Sequence, residues 1–150
     1  CNAIIPAGTQ TLSKGPTQFV RGFAPKFLAR GKGAIVNTSS DFAVMGVANL
    51  ATYCAAKGAI YSLTKSIAHE FTPKGIRVNA IGPGPIDTPI LRQGRSPEVF
   101  AEHAKVLTRS VPLGRLGTPD EVAKIVYVLC TETSSYVNGA EIHINGGQHV

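Results

Sequence analysis

The run from Ala51 to Phe71 most limits the folds open to this chain. Its apolar residues Ala56, Ala59, Ile60, Leu63, Ile67 and Phe71 recur at intervals of three and four, the repeat of one helix face, and Pro73 and Gly75 stop it. A short apolar run of strand type lies on each side. One is Ala34-Ile35-Val36-Asn37, entered through Gly-Lys-Gly at 31–33, and the other is Ile76-Arg77-Val78-Asn79-Ala80-Ile81. A strand, a long helix and a second strand predict a βαβ unit, whose parallel strands are buried on both faces.

The flanking segments extend the same alternation. Phe19, Phe23 and Phe27 stand four apart beside Val20, Ala24 and Leu28, predicting an amphipathic helix over 16–30, bent at Pro25. After Ile81, Gly82-Pro83-Gly84-Pro85 is expected to end the strand, because two prolines forbid further pairing, and a loop runs to Ser96. A polar helix is predicted over 97–109. The next helix has a marked start, with Thr118 as N-cap, Pro119 at the first position and Glu121 completing a capping box, and Val122, Ile125, Val126 and Leu129 on its inward face. A turn at Asn138-Gly139 leads to a last short strand, Glu141-Ile142-His143-Ile144. The expected fold is α/β, a Rossmann-like doubly wound parallel sheet in one domain spanning 1–150.

Composition narrows the function. A chain of 150 residues with 43% hydrophobic content can bury a single core. Cys1, Cys54 and Cys130 are odd in number and far apart, which predicts neither disulfides nor zinc, and Cys54 reads as a small filler. With no run of about 18 apolar residues and no secretory signal, no membrane partner is expected and the predicted location is cytoplasmic. The net charge of +6 is dispersed, without a Lys/Arg run interleaved with aromatics, so no nucleic-acid partner is expected. His69, His103, His143 and His149 are too scattered for a metal site and read as surface or structural residues. The chain opens on Cys1 and not Met, so an upstream segment is expected to be missing.

The chemistry is predicted to centre on Tyr53 and Lys57, which lie four apart and therefore on one helix face. An ammonium beside a phenol favours the phenolate, so this pair suits acid/base work. Ser40, thirteen residues before Tyr53, stands at the carboxyl end of the first strand, and Pro83-Gly84 stands at that of the second. Ligands of open parallel sheets bind outside the carboxyl ends of the strands, where these groups converge.

Five segments in this order resemble landmarks of the classical short-chain dehydrogenases/reductases. They are Asn37-Thr38-Ser39-Ser40, Tyr53-Cys54-Ala55-Ala56-Lys57, the run Val78 to Thr88 with its Gly82-Pro83-Gly84-Pro85 centre, Gly114 to Ala123, and Asn145-Gly146-Gly147. The resemblance implies an enzyme that uses NAD or NADP to move hydride between the nicotinamide and an alcohol or carbonyl substrate. It implies that Tyr53 donates or accepts the proton, that Ser40 hydrogen-bonds the reacting oxygen, and that Lys57 holds the nicotinamide ribose. It also implies cofactor contacts at Asn2, Tyr53, Lys57, Pro83, Gly84, Ile86 and Thr88, and a substrate lid over 88–110. A homodimer or homotetramer paired through helices 16–30 and 51–71 is the implied assembly.

Two departures set an alternative beside this reading. The N-terminal βαβ half with the family's T-G-x-x-x-G-x-G turn, which binds the pyrophosphate, is missing from the 150 residues. Cys1-Asn2-Ala3-Ile4 stands where the family has N-N-A-G, with Ile4 in place of glycine, and the proton-relay asparagine aligns near Leu12 or Ser13. A truncated non-catalytic paralogue, an interaction module that binds no dinucleotide, is the competing expectation. Removal of the first strands would also leave an open sheet edge.

Overall fold

The computed structural model describes residues 24–149. Asn2, Ile4, Leu12, Ser13, Phe19 and Phe23, and the part of the expected helix before residue 24, lie outside the described residues. From Ala24 the elements run α1 (Ala24–Arg30), β1 (Gly33–Thr38), α2 (Phe42–Met45), α3 (Ala51–Phe71), β2 (Ile76–Pro83), α4 (Pro89–Arg92), α5 (Pro97–Thr108), α6 (Pro119–Cys130) and β3 (Glu141–Ile144). The strands form one parallel sheet in the order β1-β2-β3, with Ile35 opposite Val78 and Gly82 opposite His143. This is the expected Rossmann-like α/β arrangement.

Alternation along β2 assigns its two faces. Val78, with Ile35 of β1, packs against Ile67, Ala68 and Phe71 of α3, and the described part of the phenylalanine stripe joins them through Phe27. Arg77 points to the other face, where its guanidinium donates to the carbonyls of Leu129 (3.0 Å) and Thr131 (2.9 Å) at the end of α6. Helices α3 and α6 therefore cover opposite faces. Because β1–α3–β2 and β2–α6–β3 step the same way across the sheet, their crossovers have opposite hands, and one departs from the right-handed rule. Arg77 bridges to Ser134 and the Val137 carbonyl as well, fastening this unusual connection to the strand beneath it.

Two expectations about element extent need correction. Strand β2 continues past Ile81 to Pro83, and the Gly84 amide still donates to Ile144 at 3.1 Å. In a parallel strand successive N–H groups alternate between neighbours. Those of Ala80 and Gly84 face the β3 side, so the position where Pro83 lacks an N–H faces β1, whose pairing has ended with Thr38 opposite Ile81. Pro83 therefore interrupts nothing. The inward face of α3 is also narrower than its apolar repeat suggests. Thr64, Ile67, Ala68 and Phe71 are buried, whereas Ala56 and Ala59 are exposed. No helix among the described residues is long and apolar enough to cross a membrane.

Candidate active site

The carboxyl end of β1 positions the first group. Its backbone turns directly into α2, with the amides of Ala43 and Val44 donating to the carbonyls of Ser40 and Asp41. Ser40 is buried, and its Oγ accepts from the Phe42 amide at 3.3 Å, which leaves the hydroxyl proton available to another acceptor. Helix α3 packs beside this turn. The Tyr53 ring meets Phe42 edge-on with centroids 6.3 Å apart, and at 43% exposure it remains open to a ligand.

Lys57 is held at two points. Its Nζ donates to the Thr38 carbonyl at 3.0 Å, and its own backbone carbonyl accepts from the Ser39 hydroxyl at 3.2 Å. Ser39, only 2% exposed, thus acts as a clasp between β1 and α3. The ammonium lies 5.8 Å from the centre of the Tyr53 ring. Two turns further along α3, Thr64 Oγ1 accepts from Asn37 Nδ2 at 2.9 Å, closing the same seam with a buried hydrogen bond.

The second side of the site is the segment after β2. Gly84 approaches the chain after β3 so closely that a Cβ there would fall 2.9 Å from the Cα of Asn145. Ile86 then pairs with Gly117 in an isolated parallel bridge, made by the Gly117 amide on the Pro85 carbonyl (3.0 Å) and the Asp87 amide on the Gly117 carbonyl (2.8 Å). This geometry turns the peptide groups of Ile86 itself away from the bridge. Thr88 occupies the N-cap of α4, but its side chain makes no capping bond.

The bridge rests on the start of α6, where the capping box between Thr118 and Glu121 is complete. Arg115 also binds Glu121 at 2.7 Å, and hydrogen bonds from Arg115 and the Thr118 backbone hold the Glu121 carboxyl down to about 2. The segment beyond Thr88, expected to be a loop as far as Ser96, contains the short helix α4. There Arg92 binds Asp87 at 2.6 Å and lies 4.3 Å over the Phe100 ring of α5, which draws the two helices together.

Ser40, Tyr53 and Lys57 thus gather where β1, α2 and α3 meet, while Pro83, Gly84, Ile86 and Thr88 follow the neighbouring strand. A large surface groove of about 630 Å³ lies elsewhere, at the far end of α3 beside Lys65, His69 and Asn138, and contains none of these residues. Sequence reasoning passed over the fastening of Lys57 by Ser39 and the pairing of Asp41 with His143, whose Oδ1 and Nδ1 are 2.7 Å apart. The Ser39 hydroxyl had a signal in its place beside Ser40, but Asp41 and His143 are 102 residues apart and had none.

Residues 6–149 match the family model described as enoyl-(acyl carrier protein) reductase. The chain is 46% identical over 137 residues to protein FixR of Bradyrhizobium diazoefficiens, covering 85% of this chain and 46% of that protein. It is 40% identical over 122 residues to cyclohexanol dehydrogenase of an Acinetobacter species, covering 81% of this chain and 45% of the relative. It is 34% identical over 122 residues to 3-oxoacyl-[acyl-carrier-protein] reductase FabG of Rickettsia bellii, covering 81% and 48%. The chain spans about half the length of the curated relatives it matches. With the five landmarks in order on a parallel α/β sheet, and with the matched region running through almost the whole sequence, the chain belongs to the short-chain dehydrogenase/reductase family.

Proposed function

We propose that this chain is the catalytic portion of an NAD(P)-dependent oxidoreductase that interconverts an alcohol and a carbonyl compound. The observation that carries this reading is the placing of Tyr53, Lys57 and Ser40 around the end of β1, with the Tyr53 ring exposed and Lys57 fastened to Thr38. Relatives with dehydrogenase and reductase names support the reaction class.

The residues present fit a nicotinamide. The peptide groups of Ile86 and the hydroxyl of Thr88, neither spent on the neighbouring bridge or helix cap, offer a donor and acceptors suited to a carboxamide. Lys57 offers donors to ribose hydroxyls. When bound, the cofactor supplies or accepts the hydride. Tyr53 then gives its phenolic proton to the reacting oxygen in reduction and takes it back in oxidation, while Ser40 donates a hydrogen bond to the same oxygen. Lys57 stabilises the phenolate left after transfer, and the Arg92-pinned helices α4 and α5 would cover the substrate.

The small exposed residues Ala55, Ala56 and Ala59 on α3 would let another helix approach closely, which supports a homodimer or homotetramer through this face. A cytoplasmic location belongs to the same proposal.

The test is oxidation of NADH and NADPH with a panel of ketones and aldehydes. It should be run on the 150-residue chain and on the polypeptide encoded by its native transcript, with Tyr53→Phe in parallel. Turnover that Tyr53→Phe abolishes while dinucleotide binding persists is the expected result. Turnover unchanged by Tyr53→Phe would remove Tyr53 from the mechanism. Absence of both binding and turnover in either polypeptide would favour the non-catalytic module.

A further inference from the structure

We propose that Asp41 and His143 form a positioning pair for Ser40, tying the turn that carries this serine to the carboxyl-terminal strand β3; the proposal rests on the reading of Ser40 given above. Asp41 follows Ser40 directly, is fully buried at 0% exposure, and its Oδ1 lies 2.7 Å from Nδ1 of His143. An ionised carboxylate can only accept, so the imidazole donates from Nδ1. The bond reaches from the end of β1 across β2 to β3.

That reach depends on Gly82, the β2 residue opposite His143. A Cβ at Gly82 would fall 2.8 Å from His143 Nδ1 and 3.2 Å from Glu141 Oε1, so the side chains of β3 occupy the space that any other residue would fill. Glu141 shares this face, being two residues before His143 on the strand. Both of its carboxylate oxygens, and Oδ2 of Asp41, are buried without a hydrogen-bond partner among the described residues. The His149 ring stands 5.2 Å from that of His143.

The consequence for Ser40 follows first from the tie itself, which holds the turn to β3, and then from the cost of burying a carboxylate once the tie is cut. With His143 removed, neither oxygen of Asp41 would have a partner among the described residues. His143 is itself exposed to solvent, so its removal both cuts the tie to β3 and admits water beside Asp41, toward which the released turn can move. Ser40 and the amides of Phe42, Ala43 and Val44 belong to that turn, through bonds to Ser40 Oγ, the Ser40 carbonyl and the Asp41 carbonyl. His143 thus acts on the serine from outside the reacting centre.

The test uses amide hydrogen exchange on the 150-residue chain, with steady-state kinetics on whichever polypeptide turns over. In His143→Ala the amides of residues 42–44 are expected to exchange at least about tenfold faster than in wild type, while that of Ala80 within the sheet stays protected. His143→Asn, which returns a donor near the Nδ1 position, is expected to restore protection. Asp41→Ala removes the tie without leaving an unpaired Asp41 carboxylate, and should loosen the same three amides even if His143→Ala fails to fold. In the active protein His143→Ala is expected to lower kcat while leaving the cofactor KM unchanged, with His143→Asn recovering kcat. Exchange at residues 42–44 within about twofold of wild type in Asp41→Ala would overturn the proposal, as would wild-type kcat in His143→Ala. Exchange needs no turnover, so an inactive wild type would overturn the catalytic reading of Ser40 while the tie is judged separately.

Discussion

Lys57 donates its ammonium to the carbonyl oxygen of Thr38 at 3.0 Å, so the cation on α3 is anchored to the end of β1. The Ser39 hydroxyl, on the Lys57 carbonyl, fastens the same helical turn. Tyr53, one turn earlier on α3, is thereby set against a fixed strand end. Lys57→Met should keep the helix but lose both the charge and the anchor. Turnover is expected to fall on the order of 10²–10⁴-fold, the range for a general acid/base group, with weaker binding of the reduced dinucleotide. Steady-state kinetics with separate cofactor titrations checks this, and unchanged kcat/KM would contradict it.

Arg77 offers a test of how the sheet holds α6. Its guanidinium serves carbonyls of Leu129, Thr131 and Val137 and the hydroxyl of Ser134. Arg77→Ala leaves the carbonyl of buried Leu129 without this donor and is expected to cost about 2–3 kcal/mol, a charge-assisted hydrogen bond's worth or slightly more. Arg77→Lys should recover only part, because an ammonium lacks the planar fork that reaches Leu129 and Thr131 together. Chemical denaturation measures both variants.

The elements that sequence alone reveals are those set by neighbouring residues. Helix α3 and the capping box of α6 depend on local periodicity and on a three-residue spacing, and both stand where expected. The end of β2 depends instead on which neighbour each N–H faces, so Pro83 looked like a terminator although it falls on the side where β1 has ended. The outward turn of Ala56 and Ala59 has a similar cause, since the small described sheet covers only the later turns of α3. Candidate site residues follow the same division. Tyr53 and Lys57 could be paired from their spacing, whereas the Ser39 hydroxyl on Lys57 and the imidazole on Asp41 arise only when distant segments meet.

The Asn37–Thr64 bond tests the seam beneath the site. Thr64 Oγ1 accepts from Asn37 Nδ2 at 2.9 Å and donates to the Ile60 carbonyl at 2.8 Å, and both side chains are buried. Thr64→Val keeps the shape but leaves the Asn37 amide unpaired away from water. The expected loss is about 1–3 kcal/mol of unfolding free energy. The double variant Asn37→Leu, Thr64→Val should lose less than the sum of the two single variants, because no amide is then left orphaned. Additive losses would show that the bond carries no coupling.

The start of α6 should respond to acid through Glu121. Bonds from Arg115 and from the Thr118 backbone hold its carboxyl down to about 2 from the ordinary 4.5. A carboxyl lowered on folding stabilises the native state above its unfolded value, and that stabilisation is lost as pH falls through the folded value. The contribution should therefore be complete above about pH 4.5 and fade toward pH 2. Glu121→Gln removes the charge but keeps an acceptor for the Thr118 amide, so it isolates the ionised part. Its thermal midpoint should lie below wild type at pH 6, by a modest amount because the pair is exposed to solvent, and the gap should close as the pH is lowered through this window. Parallel thermal scans from neutral to acid pH decide the matter, and a gap that stays constant with pH would show that Glu121 acts at Thr118 and Arg115 without its charge.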